Sequence, residues 1–304
     1  MTVYIIIVTY NAMKWADKCF SSLRKSSVPV QTIVVDNGST DGTQEFLKTH
    51  FPEVEVHQSP ENLGFGKANN IGIEKAWQKG ADFFYLMNQD AWIYEHTLQN
   101  LLNVFEGYRK KEEVGILSPM HLEGSEQFLD IFLDKYIAQN FESRFISDLY
   151  LHTVKDFYEM KFINAAHWLL PKSTVETVGG FNPYFFHYGE DREYVNRLHF
   201  HEKKILLCPG SKAVNDGKQD LAKVDYEKYD DLTVETNILN PTLPNAYRQE
   251  KKALLQSLAK NVLLGDFKTA GKLREKSDKI SAEKNILSDL RKLVERSGST
   301  FLNI

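Results

Sequence analysis

Cysteine is nearly missing from this chain: Cys19 and Cys208 are the only two in 304 residues. They are too few for a disulfide framework and lack metal-ligand spacing, so a reducing compartment is the default. Long apolar runs are missing too. No stretch approaches the length of a membrane-spanning helix, and the N-terminal run is too short for the core of a secretory leader and has no basic segment before it. The expectation is a cytoplasmic protein, soluble or at most membrane-peripheral. Strong charge bias is the third absence. A net charge of −4 argues against a broad nucleic-acid footprint, and clusters such as Arg109-Lys110-Lys111 read as solvated helix ends. No internal repeat or low-complexity segment stands out.

The length allows a full core and favours one large domain with an appendage. From Met1 to about Met120, short β-branched or aromatic runs alternate with helical patterns, which predicts a parallel sheet with helices on its faces. Ala12, Ala16, Cys19, Phe20 and Leu23 recur at helical spacing between the first two strands. From about His121 to Lys161 the chain is rich in aromatics and charge without clean alternation, and reads as a partly helical insertion. After Val214 the composition shifts to Asp, Lys and Tyr, and Asn240-Pro241-Thr242-Leu243-Pro244 punctuates a boundary. Beyond it Leu254, Leu255, Leu258 and Val262, then Leu287, Leu290 and Val294, follow helical periodicity. That stripe must bury on the rest of the chain or on a second copy.

Polar punctuation closes each strand-like run, where open α/β sheets place their ligands. Thr9-Tyr10-Asn11 follows Val3 to Val8, Asp36-Asn37-Gly38-Ser39-Thr40-Asp41-Gly42 follows Ile33-Val34-Val35, and Asn88-Gln89-Asp90 follows Phe83 to Met87. A fourth stretch, Asn62-Leu63-Gly64-Phe65-Gly66-Lys67-Ala68-Asn69-Asn70, is a near miss of a dinucleotide fingerprint. Asn69 replaces the third glycine and no long strand precedes it, which disfavours a Rossmann oxidoreductase. Farther on, the Gly179-Gly180-Phe181 turn is followed by Glu190-Asp191, behind the aromatic run Tyr184 to Tyr188. A carboxylate walled off from water is what hydroxyl activation requires. Each motif also has a plain structural reading. Asp36 and Asp41 close Asx turns with Ser39 or Thr40 as a helix cap. Asp90 caps a helix, Lys67 is a solvated helix start, and Glu190-Asp191 are acids opening a helix through Tyr194, Val195 and Leu198.

In this order the motifs resemble the family 2 inverting glycosyltransferases of the GT-A fold, over roughly the first two thirds of the chain. The resemblance implies an α/β fold with a mixed, mostly parallel sheet flanked by helices. It implies a catalytic domain at 1–240, with a nucleotide-binding half at about 1–120 and an acceptor half at 121–240, and a C-terminal helical extension at 241–304. The donor is then a UDP- or dTDP-sugar, with Asp36 accepting from the N3–H of the base. Thr9, Tyr10, Asn11, Asn37, Gly38, Ser39 and Asp41 belong to the same pocket, and Asn62, Gly64, Phe65 and Lys67 close it.

By the same resemblance, Asn88-Gln89-Asp90 stands where the family carries an Asp-x-Asp metal motif: Asp90 matches the second carboxylate and Asn88 replaces the first. Mg²⁺ or Mn²⁺ bridging two phosphates needs few protein ligands and is weakly held without nucleotide. Relatives often add a histidine after the strand equivalent to Ile205-Leu206-Leu207. Here Val214-Asn215-Asp216-Gly217 occupies that region, with Asp216 as a substitute oxygen ligand. Asp191 is the implied general base and Glu190 its orienting neighbour. Ala165, Ala166, His167 and Trp168 stand at the sugar pocket, with core packing the favoured role for Trp168 over stacking on a sugar. The Asn-x-Asp and Gly-Glu-Asp segments are similar to bacterial rhamnosyltransferases of surface polysaccharide assembly, so the acceptor is a glycan or lipid-linked glycan, and the C-terminal helices are a route to homo-oligomers. The competing expectation is a non-catalytic sugar-nucleotide-binding or scaffolding protein that kept the fold after losing metal ligands.

Overall fold

Strand β1 (Val3–Thr9) buries side chains on both faces, Tyr4 and Ile6 in one apolar core and Val3, Ile5 and Ile7 in the other. This is the two-residue period of a strand covered on both sides. The computed structural model describes residues 1–217 and 226–304; part of the Asp-, Lys- and Tyr-rich stretch after Val214 lies outside them. β2 (Val30–Asp36), β3 (Glu55–Gln58) and β4 (Phe83–Asn88) join β1 in parallel, in the order β3-β2-β1-β4. The crossovers are α1 (Met13–Arg24), α2 (Thr43–His50) and α3 (Phe65–Gln78). Ala16, Cys19, Phe20 and Leu23 of α1 are buried, as their spacing predicts.

Parallel pairing stops at β4. The rest of the sheet comprises β5 (Ala91–Ile93), β6 (Val114–Leu122), β7 (Tyr158–Met160), β8 (His167–Pro171) and β9 (Lys204–Asn215). β8 runs antiparallel between β4 and β6, β9 is parallel to β6, and β5 and β7 are antiparallel to β9. The sheet is therefore mixed, with its parallel character concentrated in the first half. α4 (Thr97–Gly107) follows β5, and the insertion contributes α5 (Ile131–Gln139) and α6 (Phe145–Tyr150). α7 (Lys172–Val178) and α8 (Glu190–Phe200) cover the β8 face, where Trp168, Phe181 and Tyr194 stack in the core.

A buried ion pair fixes α8. Arg197 donates to Glu193 at 2.9 Å and to the carbonyls of Val178 and Gly180, so the helix is tied to the glycine turn before it. The C-terminal residues close the same turn from outside. Gly180 N–H donates to Thr300 O at 2.8 Å, and Asn70 bonds both Phe181 and the Phe301 carbonyl. A Cβ on Gly179, whose φ is 81°, would lie 2.1 Å from Thr300 O, so only glycine fits there. The helical appendage consists of α9 (Tyr226–Leu239), α10 (Ala246–Leu263), α11 (Phe267–Ala282) and α12 (Lys284–Val294). Ile238 and Leu239 of α9 share a small core with Phe185, Ile280 and Leu287. The bundle thus begins before the Asn240-Pro241 punctuation. Of the predicted stripe, Leu287 and Leu290 join this core and Leu254 and Val294 are buried, whereas Leu255 (51%) and Val262 (47%) are exposed, so the stripe is covered only in part by the chain itself.

Candidate active site

β1, β2 and β4 end in register, with Thr9 opposite Asp36 and Val8 opposite Asn88. Their loops meet at one rim of the sheet. The Asp36 carboxylate is fully buried and accepts four hydrogen bonds, from Thr9 Oγ1 (2.8 Å), Ser39 N (3.0 Å), Ser39 Oγ (2.6 Å) and Gln44 Nε2 (2.6 Å). A buried carboxylate requires such donors. Asn11, with a left-handed φ of 53°, accepts from Thr40 N and donates its own N–H to Ser39 Oγ. Asp41 accepts from Met13 N and Thr43, and Gly38 sits in the same turn. These residues lock two loops to each other.

Beside the rim lies a cavity of about 790 Å³. From residues 1–70 it is lined by Val8, Tyr10, Asn37, Asn62, Gly64 and Phe65, while Thr9, Asn11, Asp36, Gly38, Ser39, Asp41 and Lys67 stand behind or outside its wall. Asn37 clamps the wall by donating to Gly64 O and accepting from Leu63 N, and Asn62 closes an Asx turn onto Gly64 N. Gly64 has φ 81°, and a Cβ there would lie 2.0 Å from Phe186 O. The glycine therefore permits close approach of the 181–186 segment, to which Phe65 N–H also bonds. Lys67 is exposed.

Asn88, Gln89 and Asp90 all line the cavity. Gln89 pairs with both backbone groups of Tyr10, at 2.6 and 3.2 Å, and so joins the β1 and β4 loops. The Asp90 carboxyl is held above the usual carboxylate range by burial and by repulsion from Asp216 and Asp130, against an opposing pull from backbone hydrogen bonding and Lys14. Asp216 N–H donates to Asp90 O, but the Asp216 carboxylate accepts from Trp15 Nε1 at 2.8 Å and lies 3.9 Å from Lys14 Nζ. Asn88 reaches Asn215, which donates to Asp130. Among the described residues no group of three Asp, Glu, His or Cys side chains could hold a metal alone. A negative field around one cavity-facing carboxylate fits a cation that arrives with phosphate ligands of its own.

Across the cavity stand Glu190 and Asp191, in the first turn of α8. Glu190 is buried, and its Oε2 has no hydrogen-bond partner among the described residues. Burial, then the adjoining Asp191, pushes its carboxyl well above the usual range. Asp191 is half-buried and also raised by burial, while the N–H of Arg192, 2.7 Å from its Oδ1, pulls the other way. Two carboxylates in one low-dielectric turn favour holding one proton between them. The one closer to water and to an N–H donor is the better anion.

The aromatic run before them divides instead of forming one wall. Phe185 is buried in the appendage core and Tyr184 bonds Glu283, whereas Phe186, His187 and Tyr188 line the cavity. Trp168 is in the core, and His167 bonds Tyr85 and the Val214 carbonyl within it; Ala165 and Ala166 do face the cavity. Other lining residues carry no motif. Phe132 and Tyr136 come from the insertion and Phe162 directly follows it, Arg192 stacks over Phe162 at 4.5 Å, and Thr236 and Asn237 reach in from α9. The aromatic richness of 121–161 signalled Phe132 and Tyr136; the others had no signal in the sequence.

Residues 4–142 match the model of the family described as glycosyl transferase family 2. The chain is 28% identical over 121 residues to the O-antigen chain rhamnosyltransferase WbaN of Salmonella anatum, covering 38% of this chain and 37% of that protein. It is 34% identical over 111 residues to the glycosyltransferase AglE of Haloferax volcanii, covering 34% and 36%. The matched parts thus span little more than a third of these relatives' length. The fold is similar to that of S. aureus TarS 1-349, solved in complex with UDP-GlcNAc, with a TM-score of 0.53 and 17% identity over 80% of this chain and 66% of that one.

Proposed function

We propose that this chain, whose residues 4–142 match the glycosyl transferase family 2 model and whose fold is similar to that of TarS, transfers a sugar from a UDP- or dTDP-sugar to an acceptor hydroxyl with inversion, in bacterial surface polysaccharide or related glycan assembly. One observation carries the reading: Asp90 and the Glu190-Asp191 pair line the same cavity at the ends of the parallel strands. The likeness to rhamnosyltransferases such as the Salmonella protein supports a deoxyhexose donor.

The residues divide the work by position. Tyr10, Asn37, Asn62, Gly64 and Phe65 shape the donor wall, with Asp36 and Thr9 supporting it. Asp191 takes the proton of the acceptor hydroxyl, whose oxygen attacks the anomeric carbon from the face opposite the diphosphate. Glu190, holding the shared proton, leaves Asp191 as the anion. Asp90 would hold Mg²⁺ or Mn²⁺ together with the diphosphate. Such an ion supplies charge stabilisation for the leaving group.

The experiment is a panel of UDP-, dTDP- and GDP-sugars with Mn²⁺, scored for nucleotide release and, on turnover, for the anomeric configuration of the product by NMR. Retention would overturn the inverting reading. A second reading, a nucleotide-sugar-binding scaffold, is favoured by Asn88 in place of a carboxylate and by the engagement of Asp216 with Trp15. Binding of a nucleotide sugar with neither hydrolysis nor transfer would establish that reading instead.

A further inference from the structure

Helix α6 turns its apolar face outward. Ile146, Leu149 and Tyr150 stand at i, i+3 and i+4 and therefore share one face. With Phe141 before the helix and Leu151 after it, they are between 53% (Leu149) and 84% (Tyr150) exposed. The opposite face is tied down. Phe145 is buried edge-on to Tyr158, 4.9 Å between rings, and Asp148 accepts from the Tyr158 hydroxyl at 2.8 Å. Left-handed backbone at Arg144 (φ 65°) and His152 (φ 56°) turns the chain at both ends, a conformation side chains rarely adopt without tertiary support. Packing thus sets the outward orientation. Five large apolar groups in eleven residues go beyond scattered exposure and mark an interaction surface.

The position and charge of the patch indicate its occupant. α5, just ahead, places Phe132, Tyr136 and Gln139 on the cavity, and Phe141 follows two residues later. The patch therefore adjoins, along the chain, the helix that lines the cavity. Two nearby acids are already neutralised, Glu142 by Lys161 at 2.6 Å and Asp148 by Lys155 at 3.3 Å. Arg144 is exposed beside the helix. A short exposed helix presenting Ile, Leu and Tyr, with Phe141 just before it and a cation at its edge, suits the headgroup boundary of a bilayer.

We propose that α6 and its flanks seat on a membrane surface carrying anionic lipids, which brings the cavity to an acceptor held on lipid. The delivery of acceptor rests on the glycosyl-transfer reading; the docking does not. The test is sedimentation of the full chain with vesicles of phosphatidylcholine, with and without phosphatidylglycerol. Wild type should sediment with the anionic vesicles, and the triple variant Ile146→Ser/Leu149→Ser/Tyr150→Ser should bind at least about tenfold more weakly, since three apolar side chains no longer leave water. Arg144→Glu should lose only the preference for phosphatidylglycerol. Nucleotide-sugar hydrolysis without lipid should be equal in wild type and triple variant, which also verifies folding. Equal vesicle binding by the triple variant, or none by wild type, overturns the proposal. So does a wild-type dimer that the triple variant splits, because α6 would then join two copies. Vesicle binding that depends on α6, in a protein that neither hydrolyses nor transfers any donor, would leave the docking standing and refute the glycosyl-transfer reading.

Discussion

The Thr9 hydroxyl donates to Asp36 Oδ2 at 2.8 Å across two neighbouring parallel strands. Three further donors, two from Ser39 and one from Gln44, complete the shell of that carboxylate. Wired this way, Asp36 holds the β2 loop in shape and also supports the donor wall. Asp36→Ala should cost on the order of 3 kcal/mol of stability by stranding those donors, and weaken UDP or dTDP binding by roughly 1–3 kcal/mol. Denaturant unfolding reads the first effect and calorimetry the second. Unchanged nucleotide affinity at lower stability would assign Asp36 to the turn alone.

Asp191→Asn should leave donor binding nearly intact and lower transfer by about 10²-fold or more, the scale of a lost general base. Its partner behaves differently, since Glu190 is the more deeply buried of the two. Should Glu190→Gln abolish transfer while Asp191→Asn retains it, the roles within the pair are reversed.

The strands and their polar ends were legible in the sequence because the first half of the sheet is covered on both faces. Val3 to Val8 and Phe83 to Met87 had to be continuous apolar runs, and the loops after them had to be polar. The first helix was legible for a similar reason, its stripe meeting a single face. Less could be read where a residue's reason lies far along the chain. Gly179 is glycine because Thr300 passes over it, and Gly64 because Phe186 does. Phe185 looked like its aromatic neighbours, but its partners are Ile280 and Leu287 of the appendage. The cavity walls contributed by α5 and α9 left no local pattern, since lining a cavity imposes no periodicity.

The C-terminal strap passes directly over the glycine turn, where Gly180 N–H donates to Thr300 O. Gly179→Ala should lower stability by about 2–4 kcal/mol, because the new methyl meets the Thr300 carbonyl in a left-handed backbone. Removing residues 298–304 in the same variant should recover part of that loss. A variant as stable as wild type would show that the strap does not press on the turn.

Burial of Glu190 gives stability a pH dependence of definite sign. Its folded carboxyl titrates above its ordinary value, so between the two values the folded state holds the proton more tightly than the unfolded chain. Stability should then fall as pH rises from the ordinary glutamate range through the raised one. Glu190→Gln removes the penalty and should be more stable than wild type by ~1–3 kcal/mol at neutral pH, with the difference vanishing in acid. Urea titrations of both proteins across pH 4 to 9 measure it. A constant gap between them at every pH would mean that Glu190 is not the titrating group.

Asp90 is the one carboxylate of its loop that faces the cavity. Asn88 offers no charge, Asp216 is held by Trp15 and Lys14, and no three-residue ligand group exists among the described residues. A hard cation bound by one carboxylate keeps most of its water and gains its remaining ligands from phosphate. Mn²⁺ should therefore bind weakly to the protein alone and clearly more tightly with UDP or dTDP present, and Asp90→Ala should abolish that coupling. The Asp90 carboxyl, raised by burial and by Asp216, should also return towards the ordinary range when nucleotide and Mn²⁺ bind, with proton release visible in calorimetry run in two buffers. Tight Mn²⁺ binding without nucleotide would require Asp216 to leave Trp15 and turn towards Asp90, which Trp15→Phe should then enhance. Transfer that survives a chelator unchanged would remove the metal from the mechanism altogether. The leaving-group charge would then have to be met by backbone N–H groups or side-chain donors at the donor wall.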